Sequence, residues 1–244
     1  MEFQNKRILV TGAGQGIGRA IVERLCTQYK GVHVIALSRT LSNLQSLSKQ
    51  YPQVQIVQVD VQDWETTRRE VSKLGPVDVL VNNAGVASLQ PFLDIDEKSF
   101  DSVFDINVKA VINISQVVAK SMIQHNIQGG AIVNVSSVAS KAALQDHTVY
   151  CASKAALDSV TRAMALELGP HHIRVNSVQP TVVMTQMGQM AWSDPSKSGP
   201  VLSKIPLGRF SKPDEVVDVI LYLAGPKSSM VHGVHIPVDG GFLI

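Results

Sequence analysis

The sequence predicts a doubly wound α/β fold. One single-domain unit over 1–244 would hold a parallel sheet of about seven strands, with helices on both faces. Three observations carry that expectation. Short β-branched runs alternate with helical stretches along all 244 residues, and such alternation favours parallel strands joined by right-handed crossovers. Runs such as Val77-Asp78-Val79-Leu80-Val81 and Ala131-Ile132-Val133-Asn134-Val135 are almost continuously apolar, as strands covered on both faces are. A glycine-rich turn, Thr11-Gly12-Ala13-Gly14-Gln15-Gly16-Ile17-Gly18, lies between Ile8-Leu9-Val10 and a helical pattern. Strand, glycine turn, helix is the opening of a Rossmann-type fold.

Taken in order, strands are expected at about 7–11, 32–38, 54–60, 77–82, 130–136, 172–178 and 234–238. Helices are expected at about 16–29, 40–50, 63–74, 96–126, 148–168 and 213–224. One long irregular region, about 181–212, interrupts the alternation with Gly188, Pro195, Gly199, Pro200, Pro206 and Gly208. A stretch of that length in a compact domain is usually functional, so it is expected to form a loop over the substrate.

Bulk properties narrow the function. The net charge is +2, and no run of Lys and Arg is longer than two residues, as at Arg68-Arg69; a nucleic-acid partner is not expected. No stretch approaches the ~20 apolar residues of a membrane span. The N-terminus lacks the apolar stretch of a signal peptide. Cys26 and Cys151 fall in predicted helices and give no disulfide framework. A cytoplasmic protein without a metal site is expected.

The glycine turn points to a dinucleotide. Its backbone N–H groups and the positive end of the following helix suit a pyrophosphate, and glycines permit close approach. The cradle would consist of Gly12, Gly14, Gln15, Gly16, Ile17 and Gly18. The spacing is T-G-x-x-x-G-x-G rather than G-x-G-x-x-G.

Chemistry is expected 140 residues downstream. Tyr150 and Lys154 are four residues apart at the start of a predicted helix and share a face. Ser137 follows the strand ending at Ser136, at a strand C-terminus, where ligands bind in such sheets. Hydride transfer to a ketone needs a proton on the emerging alkoxide. A tyrosine can supply it if its pKa, about 10 when unperturbed, is lowered by a nearby ammonium. A neutral hydroxyl such as Ser137 can hold the substrate oxygen. Singly, each of these is an ordinary helix or loop residue; jointly they mark one crevice.

These motifs, with Asn82-Asn83-Ala84-Gly85 and Phe104-Asp105-Ile106-Asn107-Val108, resemble the short-chain dehydrogenase/reductase family over essentially the whole chain. The resemblance implies a catalytic set of Ser137, Tyr150, Lys154 and Asn107, the asparagine helping to hold a water that relays protons to the lysine. It implies cofactor contacts from Asn83, Ala84, Gly85, Tyr150, Lys154, Pro180, Val183 and Thr185, and adenine contacts from Asp60 and Val61. Asp60 could otherwise be a helix N-cap. Pro180-Thr181 departs from the Pro-Gly of many members, beside the expected nicotinamide position.

Cofactor choice is read at the end of the second strand. Leu37-Ser38-Arg39-Thr40 has no acid to accept from a ribose 2′-hydroxyl. Ser38, Arg39 and Thr40 suit a 2′-phosphate, so NADP(H) is expected. The substrate would be a small carbonyl compound or sugar. Leu144, His147 and Trp192 are candidate walls, besides Ser137 and Tyr150. His147 is placed either to donate to a sugar hydroxyl or to sit in water as a loop histidine. A lipid substrate would need a longer apolar groove than the polar 193–199 segment suggests. A silent NADP-binding scaffold would have no use for the intact catalytic set. Stretches 96–126 and 148–168 are apolar on more than one face, with Phe100, Val103, Phe104, Val108, Val111, Ile112 and Val118 in the first, and Val160, Met164 and Leu168 in the second. With the resemblance, that pattern leads to an expected homotetramer.

Overall fold

The computed structural model describes residues 2–244, apart from the side chains at 187, 191 and 197. Strands β1 (Arg7–Thr11), β2 (His33–Ser38), β3 (Gln55–Gln58), β4 (Val79–Asn82), β5 (Gly130–Val135), β6 (Ile173–Pro180) and β7 (His235–Val238) form one sheet. Their order is β3-β2-β1-β4-β5-β6-β7, and every pairing is parallel. The seven-stranded doubly wound sheet is as the sequence predicts. Its direction of growth reverses between β1 and β4, which opens a crevice at their C-terminal ends.

Alternation along each strand feeds two cores. Ile8 and Val10, Val79 and Val81, and Ala131 and Val133 face one side. There they meet α1 (Gly16–Gln28), α2 (Leu41–Gln50) and α9 (Pro213–Ala224). Leu9, Leu80 and Ile132 face the other side, against α3 (Trp64–Ser72), α5 (Ala110–Gln124) and α6 (Thr148–Leu168). Successive Cβ atoms of a strand point to opposite faces, so a strand covered on both faces must be apolar at nearly every position. Each fully buried Leu, Ile or Val contributes roughly 1.5–3 kcal/mol.

Two expectations are corrected. The single helix expected at 96–126 is α4 (Glu97–Phe104), a π-helical turn (Asp105–Lys109) and then α5. In that turn the Ala110 N–H donates to the Asp105 carbonyl, five residues back. The region 181–212 is not irregular throughout: it contains α7 (Gln186–Ala191) and α8 (Pro195–Leu202). Both are short. Thr185 caps α7 by accepting from Gly188 N–H at 3.1 Å, and Asp194 accepts from Ser196 N–H at 2.9 Å at the start of α8. Gly199 and Pro200 made α8 read as loop, although Pro195 at its first position suits a helix start.

Two further helix starts use acids. Asp63 caps α3 through Thr66 N–H at 2.9 Å, and Asp96 caps α4 through Ser99 N–H at 2.8 Å. The N-cap role open to Asp60 therefore belongs to Asp63. In α1, Gln15 at the N-cap makes no side-chain cap, and no acid stands in the first turn. Among the described residues no helix is long and apolar enough to cross a membrane.

Candidate active site

The glycine turn is shaped by its neighbours. Gly12 and Gly16 have φ of +64° and +57°, a region that L side chains rarely adopt. Thr11, buried at the end of β1, locks the turn to the loop after β4. Its hydroxyl accepts from the Asn83 and Ala84 N–H groups, both at 3.0 Å. Asn83 Nδ2 donates to the Thr11 carbonyl at 2.9 Å and the Gly12 carbonyl at 3.2 Å. A Cβ on Gly18 would stand 2.4 Å from the Gly12 carbonyl oxygen and 2.5 Å from Asn83 Nδ2. Backbone thus passes backbone too closely for a side chain, and the N-terminus of α1 is left without a cap. A tight, uncapped helix start is what a pyrophosphate needs, so these residues fit the group.

Ser38, Arg39 and Thr40 follow directly from β2. A Cβ on Gly14 would meet Ser38 Oγ at 3.1 Å and Asn43 Cβ at 3.0 Å, so the turn and the end of β2 enclose one corner. Asn43, on α2, carries no motif, and nothing in the sequence singles it out. Arg39 is two-thirds exposed and lies 3.5 Å from Asp60 Oδ2. Val61 is buried beside it.

Tyr150, Lys154 and Ser137 line one cavity of about 230 Å³. Ile17 and Val183 line it from the glycine turn and the start of the 181–212 segment, Asn83 and Gly85 from the loop after β4. Pro180 and Thr181 close it at the end of β6. Ser137 Oγ accepts from Ala139 N–H at 3.1 Å and lies 3.5 Å from the Pro180 carbonyl. Lys154 Nζ donates to the Val135 carbonyl at 2.8 Å and stands 5.6 Å from the Tyr150 ring centre. Asn107 is fully buried in the π-helical turn. It accepts from Val86 N–H and donates to the Val86 carbonyl, both at 2.9 Å. It also donates to Ser153 Oγ at 3.0 Å. A Cβ on Gly85 would come 3.3 Å from Asn107 Oδ1 and 3.4 Å from Lys154 Nζ, so all four predicted catalytic residues gather around this cavity.

The electrostatics differ from the simple expectation. Burial pushes the Tyr150 phenol up, opposed by its hydrogen bond with Ser137. Burial pushes the Lys154 ammonium down to about 8, opposed by Asp158. Desolvation therefore outweighs the Ser137 hydrogen bond, and the phenol stands above its ordinary value rather than below it.

Three candidate substrate walls do not line this cavity. The Trp192 ring packs on Phe210, with centroids 5.6 Å apart. His147 Nδ1 is 2.5 Å from the Gln145 carbonyl, and its ring edge approaches Tyr150 at 6.2 Å between centroids. Leu144 is half-buried outside the lining. Val86, Ala87 and Thr181 take their place. Thr185 is near the turn: a Cβ on Gly16 would stand 3.6 Å from its Cγ2.

A family model described as "Enoyl-(Acyl carrier protein) reductase" matches residues 12–243. An L-xylulose reductase from Mesocricetus auratus is 55% identical over 239 residues, covering 98% of this chain and 97% of its own. The chain belongs to the short-chain dehydrogenase/reductase family. Another short-chain relative, D-erythrulose reductase from Gallus gallus, is 51% identical over 244 residues, covering 100% of this chain and 98% of its own. Among solved structures of the family, a putative NAD(P)-dependent gluconate 5-dehydrogenase from Beutenbergia cavernae with bound NADP superposes with a TM-score of 0.91. It is 31% identical and covers 98% of this chain and 97% of that one. Short-chain dehydrogenases/reductases are oxidoreductases. In the sequence, Thr11 is only the first letter of the glycine motif. Its role as a lock needed coordinates, because Asn83 lies 72 positions away.

Proposed function

We propose that the chain is an NADPH-dependent carbonyl reductase that converts L-xylulose to xylitol and also takes α-dicarbonyls such as diacetyl. The observation that carries this reading is the convergence of Tyr150, Lys154 and Ser137 on a small cavity that Ile17 of the glycine turn also lines. The relatives named above supply the substrate class. NADPH, when bound, supplies the hydride. The glycine turn and the N-terminus of α1 would hold its pyrophosphate, and Arg39 with Ser38 and Thr40 its 2′-phosphate. Asp60 and Val61 would contact the adenine. Pro180, Val183 and Thr185 would hold the nicotinamide end.

The chain's own residues handle the oxygen and the proton. Ser137 Oγ donates to the substrate carbonyl oxygen. The Tyr150 hydroxyl gives its proton to that oxygen as it becomes an alkoxide, leaving a phenolate. The Lys154 ammonium stabilises that phenolate and then passes it a proton, which the water held by Asn107 returns to the lysine. The sum is ketone, NADPH and a proton giving alcohol and NADP⁺. A cavity of about 230 Å³ suits a five-carbon sugar better than a long acyl chain. Val86, Ala87 and Thr181 would contact the substrate.

The test is turnover of NADPH with L-xylulose, diacetyl and an acyl thioester by wild type and Tyr150→Phe. Loss of the phenolic proton should lower kcat by about 100-fold or more, with NADPH affinity largely kept. A variant that retains more than a tenth of kcat would sink the assignment of Tyr150.

Assembly and location belong to the same reading. Val103, Val111 and Val118 are spent on the monomer's core. Phe100 is exposed, stacked on Phe104 at 4.6 Å, and Leu166 on α6 is four-fifths exposed. We assign these helices to the contacts of a homotetramer in the cytoplasm. A monomeric mass by light scattering at micromolar protein would reject it.

A further inference from the structure

Behind the catalytic cavity lies a second polar cluster that the proton transfers above do not use. Asp158 is on α6, one turn beyond Lys154, and is almost fully buried. Gln179 Nε2 donates to Asp158 Oδ2 at 2.6 Å, and Ser177 Oγ donates to Oδ1 at 3.3 Å. His235 Nδ1 lies 2.7 Å from Ser177 Oγ and 3.5 Å from Asp158 Oδ1. Arg162, on the surface of α6, reaches His235 Nε2 at 3.0 Å.

Only one assignment of protons satisfies this chain. Arg162 has no acceptor to offer, so His235 Nε2 must accept. His235 Nδ1–H then donates to Ser177, and the Ser177 hydroxyl donates to Asp158. Burial and the neighbouring Arg162 and Lys141 charges hold His235 below its ordinary pKa, against the pull of Asp158, which matches a neutral ring. Every partner of Asp158 is thus a donor, the environment that a carboxylate requires. The cluster also reaches the catalytic serine. Gln179 Nε2 donates to Ser140 Oγ at 2.9 Å, and Ser140 donates to the Ser137 carbonyl at 2.8 Å.

The surroundings of Lys154 make the placement matter. Among the described residues, the titratable groups that face it are Tyr150 and Asp158, both on its own helix. The other elements bring neutral dipoles: the Val135 carbonyl, Ser137 and Asn107. Residues four apart on a helix are neighbours, roughly 5–6 Å between Cβ atoms. Asp158 is the anion one helical turn away, and with both groups buried it acts on Lys154 through the low-dielectric interior rather than as a contact ion pair.

We propose that Asp158 is a positioning residue for the reaction, a buried counter-charge that keeps Lys154 in its ammonium form and so sets the alkaline end of activity. This rests on the reductase reading for its consequence, but not for its test. Burial drives Lys154 towards the neutral amine, and Asp158 opposes it. A neutral amine cannot stabilise a phenolate. The sign follows: losing the carboxylate moves the Lys154 titration, and the alkaline limb of kcat/KM with it, to lower pH.

The experiment follows Lys154 directly, by NMR of cofactor-free protein labelled at lysine 13Cε, with its resonance assigned from its loss in Lys154→Arg. Asp158→Asn should lower the titration midpoint by about half a pH unit or more, since two buried charges one helical turn apart interact even without forming a contact ion pair. Asn keeps an oxygen to accept from Ser177 and can donate its Nδ2 to a turned Gln179 amide, whose Oε1 has no partner in the wild type, so the Ser177 and His235 bonds survive unchanged. Asp158→Ser, which also removes the charge, gives the same reading should the amide not fold. His235→Phe is the control for mere packing: it cuts the outer chain and leaves the carboxylate, so the midpoint should stay. An unchanged midpoint in both charge-removing variants, or an equal fall in His235→Phe, would overturn the proposal. Turnover separates the two readings. A lowered midpoint in a protein whose wild type does not oxidise NADPH with any carbonyl leaves the counter-charge standing and removes the reductase.

Discussion

The turn before α1 and the short helix α8 each hold a glycine at a helix position, and a methyl group added to the two would meet opposite surroundings. At Gly18 the new Cβ would stand 2.4 Å from the Gly12 carbonyl oxygen. At Gly199 it would meet nothing within 4 Å among the described residues. The first region is built by backbone packed on backbone, with Thr11 and Asn83 bonding the two loops together. The second lies in the 181–212 segment, is exposed at most described positions, and is held at its ends by caps and a few packing contacts. The segment is not uniformly loose, because a Cβ on Gly188 would stand 2.2 Å from the Val183 carbonyl. The difference shows where the molecule tolerates no change. The glycine turn leaves no room for an added side chain at Gly18, while α8 has room for one at Gly199.

The strongest way to break that contrast is Gly18→Ala. The obstruction is a carbonyl oxygen in a turn that Asn83 and Thr11 hold in place, so neither side can yield cheaply. The expected loss is about 3 kcal/mol of stability, or roughly 6–12 °C in Tm for a domain of this size, with NADPH affinity reduced in what remains folded. A Tm within 2 °C of wild type would show that the turn adapts. Arg39→Asp probes the same side without touching its packing. Each hydrogen bond to a charged group is worth about 1.5–3 kcal/mol, roughly 10- to 150-fold. The ratio of kcat/KM for NADPH over NADH should fall by that factor at fixed ionic strength. A variant that keeps the NADPH preference would mean that Arg39 does not read the phosphate.

Much of the nucleotide side was legible in the sequence because it is local. Eight consecutive residues, Thr11 to Gly18, announce a strand, a turn and a helix start, and Tyr150 with Lys154 announces one face of a helix. What was not legible is assembled across distance. Asn82, Asn134, Ser115 and Thr161 form a buried chain in which Asn82 Nδ2 donates to Ser115 Oγ and Asn134 Oδ1, both at 2.9 Å, and Asn134 Nδ2 to Thr161 Oγ1 at 2.8 Å. Each looks like a lone polar residue in an apolar run. That Trp192 packs on Phe210 and not on the cavity is of the same kind, because such a partner cannot be guessed from spacing. The helices α7 and α8 escaped because glycine and proline read as breakers, and capping by Thr185 and Asp194 shows only in coordinates.

Two smaller changes sharpen the contrast from the loose side. Arg209 pairs with Glu215 at 2.6 Å, and Glu215 also accepts from Lys212 N–H at 2.7 Å, which pins the exit of the segment to α9. Arg209 first, then that N–H, holds the Glu215 carboxyl down to about 2. A depressed carboxyl stabilises above its unfolded pKa, near 4.3, and the contribution fades as pH falls towards 2. Glu215→Gln should therefore melt slightly below wild type at pH 6, the gap closing as pH falls through that window; a gap that persists at pH 2 would refute the pairing. Because the pair is largely exposed, the effect should be small. Gly199→Ala should do least. Alanine favours a helix by about 1 kcal/mol over glycine, but a Cβ just before Pro200 disfavours the helical conformation. A net change within about 0.5 kcal/mol is expected, and a loss larger than about 2 kcal/mol would show that α8 is no more tolerant than the glycine turn.

The π-helical turn at Asp105–Lys109 has one more consequence. An α-helix advances by about 100° for each residue, so the widened turn acts as a phase shift between α4 and α5. It lets Ile114, Val118 and Met122 face the sheet while Asn107 grips Val86 like a short strand, offering one acceptor and one donor to the same residue. Deleting one residue there would restore regular winding and present the chain with a choice. Either α5 keeps its buried stripe and Asn107 swings off Val86, or Asn107 stays and the stripe rotates into water. The extra residue is thus a gearing between two demands that a uniform helix of the same sequence could not meet together.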